Sequence, residues 1–223
     1  MSTMARVSPV PQPRLLMAEH EVKAALRRLG VQVPPSVLLA PADPVPSSFP
    51  FPFPVVVKVS SRALLHKTEA RAVFVGVKDA SELQAVASDL RERFAGELLL
   101  VEPVERPGVE AIVGFFRDPV FGPCAMVGVG GVYAELYQDV AFRRLPVDEA
   151  EVGAMLDELR ARALFEGFRG RKVSREALVR LVVAVSRWVE EMGREFGQMD
   201  LNPVFVREHD AVVIDAKLMG QDG

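Results

Sequence analysis

The chain has 223 residues, 49% hydrophobic and 26% charged, with a mean hydropathy of +0.17, which describes one large or two small packed domains and excludes a disordered chain. A formal net charge of −3 and a pI near 5.7 give no electrostatic ground for nucleic acid as a partner. Cys124 is the only cysteine, so an internal disulfide and a cysteine metal cluster are excluded. Residues Met1 to Val10 lack the apolar core of a signal peptide, and no segment approaches the ~20 apolar residues that span a bilayer. The expectation is a cytoplasmic protein without membrane attachment.

In chain order, Leu15 to Leu29 reads as an amphipathic helix, with Leu15, Val22, Ala25, Leu26 and Leu29 on one face. Gly30 ends it, and Pro34 and Pro35 prevent its resuming. A short strand follows at Ser36 to Ala40. Pro41 to Pro54 carries a proline at nearly every second or third place and is an extended connector. Its three phenylalanines place it against the body of the protein.

Val55 to Ser60 and Ala72 to Val77 read as neighbouring strands, and Asp79 to Phe94 as a helix capped by Asp79 or Ser81. Strands are predicted at Glu97–Val101, Val109–Phe116, Pro123–Val127 and Val132–Leu136. Two helices, Asp148 to Arg162 and Ser174 to Glu195, come next, and strands at Pro203–Arg207 and Ala211–Ala216 close the chain. Short connections and alternating patterns predict antiparallel pairing, and strand blocks with helices among them predict an α+β fold.

Four features carry chemistry. Lys58 sits in the apolar strand Val55-Val-Val-Lys-Val59, where a lysine either snorkels to solvent at an edge or meets a buried anion. Gly128-Val-Gly-Gly131 either admits phosphate to backbone N–H groups or makes a tight turn; taken singly it is a turn, because no helix opens after it. In Asp200-Leu-Asn202 two oxygen ligands share one side of an extended chain. A turn at Glu208-His209 would pair Arg207 with Asp210 and set Asn202 opposite Asp215, a pair suited to Mg²⁺. A one-residue slip would undo this. The fourth is His66-Lys-Thr-Glu69, between two strands, which on its own is a polar loop.

Several segments together resemble the ATP-grasp (β) part of NDP-forming acyl-CoA synthetases, the ADP-forming acetate–CoA ligases. They are Phe53-Pro-Val-Val-Val-Lys-Val59, His66-Lys-Thr-Glu69, Pro107-Gly-Val-Glu-Ala-Ile-Val-Gly114, Arg117-Asp-Pro-Val-Phe-Gly-Pro123 and Gly128-Val-Gly-Gly-Val132. Asp139-Val-Ala-Phe-Arg143, Leu164-Phe-Glu-Gly-Phe-Arg-Gly170, Asp200-Leu-Asn-Pro203 and Ile214-Asp-Ala216 continue the match, which runs from about Leu15 almost to the end. The resemblance implies an ATP-grasp fold, with ATP or ADP held between two α+β lobes at about residues 15–104 and 105–223. It implies that Lys58 contacts phosphate, that Glu102-Pro-Val104 is the hinge beside adenine, and that Glu110 lies near ribose or phosphates. It also implies that Arg143 offers a fork of donors to phosphate, that Asn202 and Asp215 hold Mg²⁺, and that His66 carries phosphate between a partner α subunit and ADP. That α subunit would bring the CoA-binding and acyl-phosphate-forming domains in a hetero-oligomer.

The chain departs from the family in two places. Arg71-Ala72 stands where relatives commonly have two glycines, and the proline-rich Pro41 to Pro54 stands where they usually have a helix. The first departure sets a non-catalytic or regulatory ATP-binding subunit beside the enzymatic reading. A ligase working through a free acyl phosphate, without phosphorylation of His66, is a third.

Overall fold

The computed structural model describes residues 15–131, 138–170 and 172–221. They form two antiparallel sheets, each with its own hydrophobic core. The smaller sheet has the order β2-β5-β3-β4, with β2 Val37–Leu39, β3 Val55–Ser60, β4 Val73–Val77 and β5 Leu98–Pro103. Helix α2, Ala80–Arg93, covers one face; its N-cap is Asp79, which accepts from the Glu82 N–H at 2.9 Å. Val55, Val57 and Val59 are fully buried in the core that α2 contributes to through Leu83, Ala87 and Leu90. Strand alternation therefore turns Lys58 and Ser60 to the opposite face.

The proline-rich connector packs as its phenylalanines require. Phe49, Phe51 and Phe53 lie against the small core and against one another, with ring centroids 5.6 Å apart for Phe49–Phe51 and 6.2 Å for Phe49–Phe53. Arg91 of α2 ties the connector down through the carbonyls of Ala40 and Asp43 at 3.0 and 2.8 Å.

The larger sheet has seven strands among the described residues. Its order is β1 (Leu15–Met17), β11 (Ala216–Gly220), β9 (Phe196–Val206), β6 (Val109–Asp118), β7 (Gly122–Val129) and β8 (Val140–Arg144), with β10 (Ala211–Val213) also paired to β9. Helices α3, Glu149–Glu158, and α4, Arg175–Met192, pack on one face, over Val113, Phe115, Ala125 and Val127. Each fully buried valine or phenylalanine contributes about 1.5–3 kcal/mol. Glu110, Ile112, Gly114 and Phe116 alternate to the other face.

Tertiary pairing redraws some expected boundaries. Leu15 to Met17 is not helical; it hydrogen-bonds to β11, and the helix, α1, runs only from Glu19 to Arg28. Val22, Leu26 and Val31 then enter the core of the large sheet. The first elements therefore belong with the larger lobe and not with the lobe that ends at residue 104. β9 begins at Phe196, well before Pro203, because its early residues pair with β6 and β11. β8 forms an edge that the sequence did not announce, and the strand predicted at Val132–Leu136 lies outside the described residues.

Candidate active site

Where the lobes meet, six charged side chains form one network. On α1, Glu19 and Lys23 share a helical face with the core residues Val22 and Leu26 and are themselves almost fully buried. Lys23 Nζ lies 2.8 Å from Glu19 Oε1, 2.7 and 2.8 Å from the two oxygens of Glu102, and 2.7 Å from the Ile214 carbonyl. Lys58 Nζ meets Glu19 Oε1 at 2.8 Å, the Ile214 carbonyl at 2.9 Å and Glu102 Oε2 at 3.1 Å. Lys67 Nζ donates to Glu19 Oε2 and, at 2.7 Å, to Asp215 Oδ1. Three lysines thus face three carboxylates, and only Asp215, 26% exposed, reaches solvent to any extent.

The balance of charge makes such burial tolerable. Burial alone would raise the Glu19 pKa, but Lys58, Lys23 and Lys67 hold it well below the usual carboxylate range. Burial would likewise lower Lys58, yet Glu19, Glu102 and Asp215 outweigh it and raise its pKa. At Lys23 burial prevails over the attraction of Glu19 and Glu102, and the pKa falls. At Asp200 burial pushes the pKa up, against the pull of Lys217.

Lys58 and Glu102 are brought together by the sheet. Lys58 pairs with Leu100 and Val56 with Glu102, so the two charged residues are diagonal neighbours on one face. Of the two alternatives for Lys58 the buried anion holds: its ammonium donates to Glu19 and to the Ile214 carbonyl and forms an ion pair with Glu102. Val104 N–H donates to the Pro54 carbonyl at 3.1 Å.

The hairpin register is the one the sequence suggested. Arg207 N–H donates to the Asp210 carbonyl at 2.8 Å, and Ala211, Val212 and Val213 face Val206, Phe205 and Val204. Asn202 N–H donates to the Asp215 carbonyl at 3.2 Å, and Ala216 and Lys217 face Leu201 and Asp200. Leu201 and Ala216 are buried in the core, so Asn202 and Asp215, next to them, project away from it. Asp215 Oδ1 accepts from Lys67 and from the Ala216 N–H at 2.9 Å, while its Oδ2 accepts no hydrogen bond among the described residues. No group of three His, Cys, Asp or Glu side chains suited to a metal occurs among the described residues. A carboxylate beside an exposed amide nevertheless fits Mg²⁺, which takes few protein ligands and completes its shell with water and phosphate.

Glu110 accepts through its carbonyl from the Gly130 N–H at 2.8 Å. Close packing requires a glycine at position 128, where a Cβ would lie 2.5 Å from Val140 Cγ1 and 2.8 Å from the Asp139 carbonyl oxygen. Asp139 accepts from the N–H groups of Arg160 and Ala161, both at 2.8 Å, and so anchors the end of α3.

Arg143 lies outside this network. It stands opposite Ala125, which is fully buried under the helices, so its side chain leaves the sheet on the helical face. There its guanidinium pairs with the Glu158 carboxylate on α3. A fork of donors to phosphate does not fit that placement.

His66 lies on the loop between β3 and β4, with its side chain 61% exposed and Nδ1 3.7 Å from Glu69 Oε1. The loop closes on itself: the N–H groups of Ala70 and Ala72 donate to the carbonyls of His66 and Lys67 at 3.1 and 2.8 Å. Arg71 has a φ of +52° and Ala72 is fully buried. Arg71 thus adopts the left-handed conformation that a glycine adopts freely.

Glu19, Lys23 and Lys67 were missed by the sequence reading. Positions 19, 22, 23 and 26 follow the i, i+3, i+4, i+7 rule, so two charges sat in plain view on the apolar face of a helix.

Residues 10–219 match the ATP-grasp domain family. The chain is 34% identical over 219 residues to the β subunit of ADP-forming acetate–CoA ligase II of Pyrococcus furiosus, covering 93% of each. It is 31% identical over 212 residues to the ligase I β subunit of the same organism, covering 91% of each. Among solved structures, a Pyrococcus horikoshii protein superposes with a TM-score of 0.85 at 31% identity, over 94% of this chain and 93% of that one. Acetyl-coenzyme A synthetase 1 of Ca. Korarchaeum cryptofilum, in complex with coenzyme A and Mg-AMPPCP and with its phosphohistidine segment pointing towards the nucleotide binding site, superposes with a TM-score of 0.78 at 34% identity over 93% of both chains. With its two lobes, its charged junction and these relatives, the chain belongs to the ATP-grasp family, among the β subunits of ADP-forming acetate–CoA ligases.

Proposed function

We propose that the chain binds ADP and ATP as the nucleotide-binding subunit of an ADP-forming acyl-CoA synthetase. With an α subunit that binds CoA and forms the acyl phosphate, it catalyses acyl-CoA + ADP + phosphate ⇌ acid + CoA + ATP. The observation that carries this reading is the placement of His66. An exposed imidazole stands one residue from Lys67, whose ammonium reaches Asp215 in the junction between the lobes. A carrier needs both: access to a partner and a tether to the nucleotide site.

Neutral imidazole is nucleophilic near pH 7 and forms a labile phosphoramidate. Nδ1 lies 3.7 Å from the Glu69 carboxylate, beyond hydrogen-bond distance, and this reading gives the attack to Nε2, the ring nitrogen away from that anion. Nε2 attacks the phosphorus carried by the α subunit; the new N–P bond forms as the bond to that carrier breaks. A β-phosphate oxygen of ADP then attacks the same phosphorus, the P–O bond forms, and His66 leaves as neutral imidazole. Mg²⁺, when bound, neutralises phosphate charge. Asn202 and Asp215 would hold it. Lys58 reaches phosphate by exchanging one of its carboxylate partners for it. Glu110 flanks ribose or phosphates, and the Pro103 carbonyl accepts from the adenine amino group. Val104 N–H serves the base only after leaving Pro54. Arg143 takes no part.

Arg71 in its left-handed conformation supports the catalytic reading over a degenerate subunit, because the loop keeps the backbone path open to glycine. The test is co-purification of the chain with its α partner from the native source, followed by an assay for acyl-CoA-dependent ATP formation. The complex should form ATP and the isolated chain should not. A complex that binds Mg²⁺-nucleotide without turnover would instead support a regulatory subunit.

A further inference from the structure

The segment that carries His66 has few polar ties to the rest of the molecule. Among the described residues, two side chains of loop 61–71 reach α1 or the large lobe. One is Arg62, paired with Glu21 at the surface, where its side chain is 58% exposed and an ion pair holds little. The other is Lys67. Its side chain is only 7% exposed, and its ammonium is shared between Glu19 of α1 and Asp215 Oδ1 of the hairpin. Arg93 adds bonds from α2 to the carbonyls of Ala70 and Arg71, but these hold the base of the loop to its own lobe. Lys67 is therefore the residue that fastens the carrier segment across the junction.

The same carboxylate is the charged member of the pair read above as the Mg²⁺ ligands. An ammonium 2.7 Å from Oδ1 leaves Oδ2 as the oxygen open to a divalent cation, and a cation coordinated there repels the ammonium on the same carboxylate at short range. Lys67 has a second carboxylate, Glu19, on which to fall back, and Glu19 already holds Lys23 and Lys58. The exchange therefore leaves no buried charge without a partner.

We propose that Lys67 is a positioning residue that competes with Mg²⁺ for Asp215, so that arrival of the metal–nucleotide releases the His66 segment from the large lobe. The segment would then be tied down without nucleotide and free to travel once phosphate has a destination or a source. This rests on the nucleotide and metal reading of the junction.

The test is amide hydrogen exchange across residues 62–71 in the full chain, with AMPPCP as probe, with and without Mg²⁺, alongside calorimetry. In the wild type, Mg²⁺-AMPPCP should speed exchange of the segment by about ten- to a hundredfold, the loss of one charge-assisted hydrogen bond. AMPPCP with EDTA should not. Lys67→Met should exchange fast under all conditions and bind Mg²⁺-AMPPCP more tightly than the wild type. Asp215→Asn, which keeps an acceptor for Lys67 and guards against misfolding of the first variant, should keep the slow exchange and lose the response to Mg²⁺. Binding in the calorimeter without faster exchange of the segment would overturn the latch alone. Absence of any nucleotide binding would overturn the nucleotide reading and the latch with it.

Discussion

Asn202 and Asp215 face each other across the β9–β10 hairpin, the Asn202 N–H donating to the Asp215 carbonyl at 3.2 Å. Main-chain pairing thus fixes the position of both side chains independently of what they bind. Asp215→Ala should weaken Mg²⁺-nucleotide binding by about 10–100-fold or more, with little change in Tm, since the hairpin's backbone bonds remain. Calorimetry beside a thermal melt checks this, and unaltered Mg²⁺-ADP affinity would rule out the metal role.

Glu19 is the hub of the buried network, in contact with Lys23, Lys58 and Lys67. Glu19→Gln leaves three lysines to Glu102 and Asp215, and should cost about 3–5 kcal/mol, as removal of one member of a buried ion pair does. A denaturant titration that finds the variant within about 1 kcal/mol of wild type, inside the range of ordinary point mutations, would show that the network is not buried as described.

The depressed pKa of Glu19 sets the direction of the acid response. In the unfolded chain the group titrates near the usual carboxylate value of 4.5; in the folded chain it titrates lower. Its stabilisation is therefore complete above that pH and declines as pH falls from there through the folded-state pKa. Melts between neutral pH and pH ~3 should show the loss in the wild type, and Glu19→Gln should flatten the slope in that window. An identical slope in both proteins would assign acid unfolding to other carboxylates.

His66→Ala should bind nucleotide normally, because the charged junction and the hairpin do not depend on an exposed imidazole. With the α partner and acyl-CoA plus phosphate, or with ATP, the wild-type chain should acquire an acid-labile, base-stable phosphoryl group that the variant lacks, and turnover should vanish with it. Label on His20 or His209, or normal turnover of the variant, would remove the carrier role from His66.

Arg71 occupies the left-handed region at a φ of +52°. Arg71→Gly should relieve about 1 kcal/mol of backbone strain, offset in part by the greater freedom of glycine in the unfolded chain. A Tm that does not fall, with wild-type folding cooperativity, is the expected result. A clear loss of stability would mean that the Arg71 side chain makes contacts that outweigh the strain.

Arg143→Ala should leave Mg²⁺-nucleotide affinity unchanged, because its guanidinium pairs with Glu158 on the helical side of the sheet. A marked fall in affinity without unfolding would return Arg143 to the site.

Much of this protein was legible in local patterns. Alternation in Val55–Ser60 separated Lys58 from the valines of the core, and the aspartate at 79 capped its helix, because both rules act over a few residues. The hairpin register was readable for the same reason: once Glu208-His209 makes the turn, each pair from Arg207/Asp210 to Asn202/Asp215 follows by counting. The ordered motifs from Phe53 to Ala216 carried the family. Tertiary structure alone decided what those groups meet. Lys58 finds Glu19, 39 positions away, and Lys67 finds Asp215, 148 positions away. Residues 15–17 became a strand because β11 offered an edge, and Arg143 was turned from the cleft because its neighbour Ala125 had to be buried. Local pattern fixes which face of an element a side chain takes. Which charges gather at that face depends on how separate elements pack, and only there does burial force the lysines and carboxylates into one balanced network.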